Sequence, residues 1–320
     1  MSATTPTSQN RTLTCTPDEM LRYSREILSI ARAVNQQDID RRLIGGDFFD
    51  VAPLLPHQFV DLLILDPPYN LQKNFHGNHF SKLKGSQYAD WFEKMIDLTV
   101  PLLRPDATLY ACADWKTSTL IQPILDERFQ IQNRITWERE KGRGAKRNWK
   151  NNTEDIWFCT NSSDYYFDVE SVKLKRRVLA PYRVDGNPKD WDPESDGNYR
   201  LTHPSNIWTD LTVPFWSMPE NTRHPTQKPE KLLAKLILAS SREGDFVFDP
   251  FLGSGTAAVV AEKLNRRWAG VEINEEYLCW AQKRIVAARV DPTIQGYSDR
   301  VFWERNSLSD QRSRNRLPAR

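Results

Sequence analysis

Four cysteines in 320 residues, Cys15, Cys112, Cys159 and Cys279, stand far apart and form no C-x-x-C pair. That spacing offers no zinc site and no disulfide framework, so a reducing cytoplasm is the expected setting. An excess of charge of one sign is also missing. Forty-four Lys and Arg against 42 Asp and Glu leave a formal +2, so only the distribution of charge can speak about nucleic acid. No run approaches the ~18 apolar residues of a membrane span. The polar start Met1-Ser2-Ala3-Thr4-Thr5-Pro6 lacks the basic-then-apolar order of a signal peptide. No internal repeat is visible. What is present is 39% hydrophobic residues, 27% charged residues and eleven tryptophans. That suits a globular chain with core enough for one large α/β unit, or about two domains.

Residues 1–16 read as disordered, being rich in Thr, Ser, Asn and Gln. Thr16-Pro17-Asp18-Glu19 is a helix start, with Leu21, Ile27, Leu28, Ile30 and Ala31 as its apolar stripe. Strands follow at 41–47, 60–65 and 107–113, with helices near 88–102 and 116–125 between and after them. Further strands are expected at 131–138 and 156–160. Strands separated by helices point to βαβ units and a parallel sheet. Residues 165–215, dominated by Tyr, Trp, Pro, Asp and Asn, read as an insertion. Regular structure resumes at His224-Pro225-Thr226-Gln227-Lys228-Pro229 and the amphipathic stretch after it. The end of the chain, from 291, reads as mobile.

Two strand ends carry the chemistry. The apolar run 60–65 stops at Asp66-Pro67-Pro68-Tyr69, because proline cannot donate to a strand ladder. A carboxylate and an aromatic ring thereby sit on a stiff turn where open α/β sheets bind ligands; alone, it could equally be only a turn. The run 245–249 leads into Asp249-Pro250-Phe251-Leu252-Gly253-Ser254-Gly255-Thr256 and a helix, an arrangement that lets backbone approach a ligand closely. It is neither G-x-G-x-x-G nor G-x-S-x-G. The next strand ends in Glu272, placed to take ribose hydroxyls or else a buried structural acid. Asp47 ends a Gly-Gly turn. Arg139, Lys141, Arg143, Lys146, Arg147, Trp149 and Lys150 fall within twelve positions, which fits either a solvated face or phosphate contact with base stacking.

Taken together and in this order, the tetrapeptide 66–69, the turn 249–256 and the His224–Pro229 motif resemble the amino-methylating DNA methyltransferases that use S-adenosylmethionine. With the catalytic tetrapeptide before the cofactor turn, the pattern is similar to the permuted β class, over roughly 40–160 and 200–290. The resemblance implies a doubly wound, mostly parallel, seven-stranded Rossmann-like sheet, circularly permuted, with an irregular target-recognition insertion. Its divisions would be an N-terminal arm and helix (1–35), a catalytic part (36–164), a target-recognition region (165–215), a cofactor-binding part (216–290) and a tail (291–320).

The resemblance also assigns roles. Asp66, Pro67, Pro68 and Tyr69 would be catalytic. Asp249, Phe251, Gly253, Ser254, Gly255 and Thr256 would wrap the methionine part of S-adenosyl-L-methionine, with Asp66 at the same cofactor. Glu272 would hold its ribose, Asp47 its adenine amino group and Lys228 its carboxylate. The basic loop and Lys173, Lys175, Arg176, Arg177, Tyr182 and Arg183 would contact double-stranded DNA. Aspartate at the head of the tetrapeptide favours adenine N6 as the target, with N4 of cytosine or an inactive DNA-binding relative as the alternatives. The class leaves room for a homodimer and for a cognate restriction endonuclease acting on the same site.

Overall fold

The structure is a computed structural model that describes residues 10–70, 73–75, 78–80, 83–139, 146–178, 182–194 and 197–305. Its centre is an eight-stranded sheet. The strands are β1 (Arg42–Gly45), β2 (Val60–Leu65), β3 (Leu103–Ala113), β4 (Gln130–Glu138), β5 (Thr153–Thr160), β6 (Ile207–Trp208), β7 (Phe246–Asp249) and β8 (Arg267–Glu272). They lie in the order β1-β8-β7-β2-β3-β5-β4-β6. All neighbouring pairs are parallel except those made by β5, which runs antiparallel to both β3 and β4. The sequence reading expects seven strands; the eighth is the two-residue edge β6. It also expects strands at 131–138 and 156–160. They form an antiparallel pair, and no helix lies between them among the described residues to carry the chain back across the sheet.

Central strands are apolar throughout because both faces are covered. Leu62 and Ile64 of β2 join one core with Val247, while Leu63 and Leu65 join the other with Phe246 and Phe248. The first face packs under α4 (Glu230–Ser240), α5 (Thr256–Lys263) and α6 (Glu275–Val290); the second packs under α2 (Gly85–Thr99) and α3 (Trp115–Arg128). The N-terminal helix, α1 (Pro17–Ser24), is closed by a capping box in which Thr16 and Glu19 bond each other's backbone N–H. It stops at Ser24, so Ile27 and Leu28 are not on its stripe. Leu28 instead adds a parallel bridge to Ile44 at the edge of the sheet.

The region 165–215 is more regular than its composition suggests. Strands 174–177, 197–202 and 192–194 build a second sheet, and the chain returns at 297–303 to complete it, with 301–303 parallel to 174–177. The segment 291–305, expected as tail, is therefore largely folded. Tyr199, Phe302 and Trp303 are buried there, the apolar content that ordering a backbone needs to offset its entropy. Lys235 and Lys231 reach Asp210 at 2.7 Å each, joining α4 to the segment after β6.

Candidate active site

From β2 the chain crosses to β3 on one side; from β7 it crosses to β8 on the other. Strands β2 and β7 are direct neighbours, so the crossovers diverge between them and open a crevice at their carboxyl ends. A cavity of about 660 Å³ fills this crevice, lined by the 66–69 turn, the 249–256 turn, Asp47, Glu272 and a group of aromatic rings. That is within the usual range for a small-molecule site.

The 66–69 turn is held from three directions. Tyr88 Oη donates to the Pro68 carbonyl at 3.0 Å. Asn70 N donates to Thr117 Oγ1 at 3.2 Å, and Thr117 N in turn donates to Asp114, the cap of α3. Tyr69 Oη lies 3.0 Å from Asp66 Oδ1 and 3.3 Å from Glu154 Oε2. Lys228 Nζ donates to both Asp66 oxygens, at 2.8 and 2.7 Å, and lies 3.1 Å from Tyr69 Oη and 3.4 Å from Glu154 Oε2. Glu154 also pairs with Arg139. Two carboxylates and the Lys228 ammonium thus enclose one phenol, and Arg139 holds one of the carboxylates.

Their environment fixes protonation. Burial alone would lower the Lys228 pKa, but the adjacent carboxylates Asp66 and Glu154 outweigh it and raise it above the ordinary value, so the ammonium stays charged. Burial, reinforced by Asp66 and Glu154, pushes Tyr69 well above its usual range. The phenol is therefore a hydrogen-bond donor and not a base.

On the cofactor side, Gly253 and Gly255 sit at φ +55° and +81°, backbone that side chains rarely adopt. A Cβ on Gly255 would come within 2.5 Å of Ala281 Cβ on α6. Glu272 accepts from Gly253 N and Asn274 N, both at 2.8 Å, and Asp249 accepts from Phe251 N at 3.0 Å. The amides of Leu252 and Gly255 bond Val271 O and Leu252 O. Four amides of the turn thus hold its shape rather than reach into the cavity. Burial raises the pKa of both Asp249 and Glu272. Asp47 caps the short helix Phe48–Val51 through Phe49 N, and Phe48, Phe49, Trp91 and Phe251 pack as one ring cluster beside it.

The structure brings Asp47, Asp66, Tyr69, Lys228, Asp249, Phe251, Gly253, Ser254, Thr256 and Glu272 around one cavity. Two of the sequence assignments change in character. Lys228, expected at the cofactor carboxylate, is engaged by Asp66. Lys175, expected at DNA, is only 7% exposed; it pairs with Glu194 at 2.6 Å and lies over the rings of Tyr199 and Trp303. It is a core cation of the second sheet. Lys173 pairs with Glu170 and Arg176 with Glu304, while Arg177 and Arg183 are exposed. Lys146, Arg147, Trp149 and Lys150 are all exposed, Trp149 at 93%; Lys141 and Arg143 lie outside the described residues. Sequence reasoning missed Glu154. Its signal was an acid in the polar start, Thr153-Glu154-Asp155, of a strand whose middle is apolar.

A twice-covered, mostly parallel sheet with an acid-headed proline turn facing a glycine turn across its switch point has the methyltransferase architecture. The chain belongs to the N6/N4 DNA methylase family, whose model, described as a DNA methylase, matches residues 60–283. It is 32% identical to the type II methyltransferase M.HpaI of Haemophilus parainfluenzae over 278 residues, 85% of this chain and 82% of that one. It is equally 32% identical to the DNA adenine methyltransferase YhdJ of Escherichia coli K12 over 255 residues, 78% and 83% of the two chains. Among solved structures, the PvuII cytosine-N4-specific DNA methyltransferase superposes with a TM-score of 0.58 at 18% identity, covering 78% of this chain and 88% of that one. TTHA0409 of Thermus thermophilus, solved with S-adenosyl-L-methionine, gives 0.52 at 20% identity, covering 83% and 98%. These two likenesses are of fold.

Proposed function

We propose that this protein transfers a methyl group from S-adenosyl-L-methionine to the exocyclic N6 of adenine in double-stranded DNA, on a base turned out of the helix. The observation that carries the reading is Asp66, a carboxylate at the mouth of the switch-point cavity with Tyr69 beside it and the cofactor turn opposite. The adenine methyltransferase named among the relatives supports the choice of base.

The cavity suits the cofactor by its donor set. Carboxylates at Glu272 and Asp47 match ribose hydroxyls and an adenine amine, the ring cluster matches a flat base, and an acidic lining suits a sulfonium. When bound, S-adenosyl-L-methionine supplies an electrophilic methyl carbon. The chain's own residues supply position. The amine of adenine is a poor nucleophile because its lone pair is delocalised into the ring. Asp66 accepts one of its N–H groups. With the Pro68 carbonyl already bonded to Tyr88, the Pro67 carbonyl is the candidate for the other. Two such acceptors favour a pyramidal nitrogen with its lone pair on the methyl carbon. Methylation would leave that nitrogen with one proton too many, and the Asp66 carboxylate already accepting its N–H would take it. Turning the base out costs a few kcal/mol, and stacking on Tyr69, about 1–3 kcal/mol, offsets much of that. Alignment and electrostatics then lower the barrier.

The exposed cations of 146–150 extend this reading to the DNA phosphates. Relatives that are type II methyltransferases support a modification role beside a cognate endonuclease in the cytoplasm. The test is to methylate DNA with the protein, digest it to nucleosides and identify the product. N6-methyladenine is expected; N4-methylcytosine would overturn the choice of base. Asp66→Ala should abolish transfer while S-adenosyl-L-methionine still binds, and methyl incorporation at the wild-type rate would remove Asp66 from its role.

A further inference from the structure

We infer that Glu154 is a positioning residue for the catalytic turn: it is the alternate acceptor that lets Asp66 release the Tyr69 hydroxyl when the target amine arrives, and Arg139 holds it in place. The inference rests on the methyl-transfer reading above, though not on which base is methylated.

A carboxylate has about four lone-pair sites. In this structure Lys228 fills one on each Asp66 oxygen, and Tyr69 Oη, 3.0 Å from Oδ1, takes a third. One site remains for an incoming N–H. A phenol has a single hydrogen, yet two carboxylate oxygens lie within its reach, Asp66 Oδ1 at 3.0 Å and Glu154 Oε2 at 3.3 Å. Rotating that hydrogen toward Glu154 frees a second site on Asp66 without leaving the phenol unbonded in a buried position. Lys228 stands between the same two acids, 3.4 Å from Glu154, so its ammonium can follow. A buried donor left without an acceptor is costly; Glu154 removes that cost.

Neutralising Lys228 does not account for Glu154, since Asp66 already meets that ammonium with both oxygens. Nor does the fold call for it. Glu154 is 3% exposed, and a carboxylate buried to that degree is retained only with partners. Its partners are the Tyr69 phenol, Lys228 and Arg139. Arg139 grips the other oxygen, Oε1, which leaves Oε2 toward Tyr69. Arg139 also sits at the root of the basic loop, its N–H bonded to Asn152 O at 2.6 Å. The loop proposed to touch phosphate and the turn proposed to hold the base are thereby joined through one carboxylate.

The experiment is a double-mutant cycle read by single-turnover methyl incorporation, with cofactor and DNA dissociation constants and thermal midpoint measured alongside. Glu154→Gln should slow transfer by about ten- to a hundredfold, the size expected of a misplaced reacting group, with both dissociation constants little changed. In a Tyr69→Phe background, where no hydroxyl needs a second acceptor, Glu154→Gln should add almost nothing. Arg139→Ala, on a partly exposed side chain, should repeat the pattern more weakly and keeps the test alive if Glu154→Gln does not fold. Equal slowing in both backgrounds would reduce Glu154 to a structural role, and wild-type rates in Glu154→Gln and Arg139→Ala would overturn the inference. If wild-type protein transfers no methyl group to DNA, it is the function reading that fails.

Discussion

Two glycines with nearly the same backbone angle separate shape from strain. Gly244 at φ +86° has open space where a Cβ would stand, whereas at Gly255, φ +81°, that Cβ would meet Ala281 at 2.5 Å. Alanine at either position meets the left-handed penalty of about 1–2 kcal/mol, reduced by a few tenths through the less flexible unfolded chain. Gly255→Ala adds overpacking against α6, about 1–3 kcal/mol. The two variants should therefore differ by about 1–3 kcal/mol in urea unfolding. Gly255→Ala should also weaken S-adenosyl-L-methionine binding by calorimetry, because relief of the clash moves the start of α5 and the 253–255 turn together. Gly244→Ala, beyond the amino end of β7, should leave cofactor affinity unchanged. Equal destabilisation with intact cofactor binding in both would refute the claim that the turn's shape depends on its contact with α6.

Other outcomes follow from the same geometry. Glu272→Gln should weaken cofactor binding while Asp66-dependent chemistry on bound cofactor persists; an unchanged dissociation constant would count against the ribose role. Burial, with Glu230 beside it, raises Glu220 to about 7. The folded state then holds a proton the unfolded state gives up above about 4.5, so this contribution to stability is present at low pH and lost as pH rises through 7. Glu220→Gln should accordingly gain on wild type between about pH 5 and pH 8 in urea unfolding, and a constant difference would exclude the titration. Lys175→Ala should cost about 1–3 kcal/mol, discounted because Glu194 keeps some water contact, and should leave the salt dependence of DNA binding unchanged. Arg147→Ala and Lys150→Ala should each lower that log–log slope by about 0.9.

The two strand-end turns were legible because prolines and glycines in those places leave the backbone few choices. Asp66 and Glu272 could be read for the same reason, each closing an apolar run. What could not be read was who meets whom across the chain. Lys228 and Asp66 are 162 residues apart, and no local pattern says that the two will meet. Lys175 looked like one of four surface cations at 173–177, yet it lies buried against the rings of Tyr199 and Trp303. Glu154 was hidden by its neighbour Asp155, as a pair of adjacent acids looks like solvated surface, yet both are buried here, at 3% and 8% exposed. The return of 297–303 to the second sheet was equally silent, because three-residue strands carry almost no periodicity.

The position of β7 bears on how the protein is made. It is the innermost link between β8 and β2, yet Phe246 emerges about 180 residues after Leu65. At ~5–20 residues per second, β2 waits on the order of 10–40 s for its partner during synthesis. Through that interval its Leu62–Leu65 edge is an open, wholly apolar template of the kind that pairs with other chains. A permuted order that sets catalytic turn against cofactor turn therefore also sets a period of vulnerability on the ribosome, and binding of S-adenosyl-L-methionine cannot shorten it, since its site does not exist until β7 is inserted.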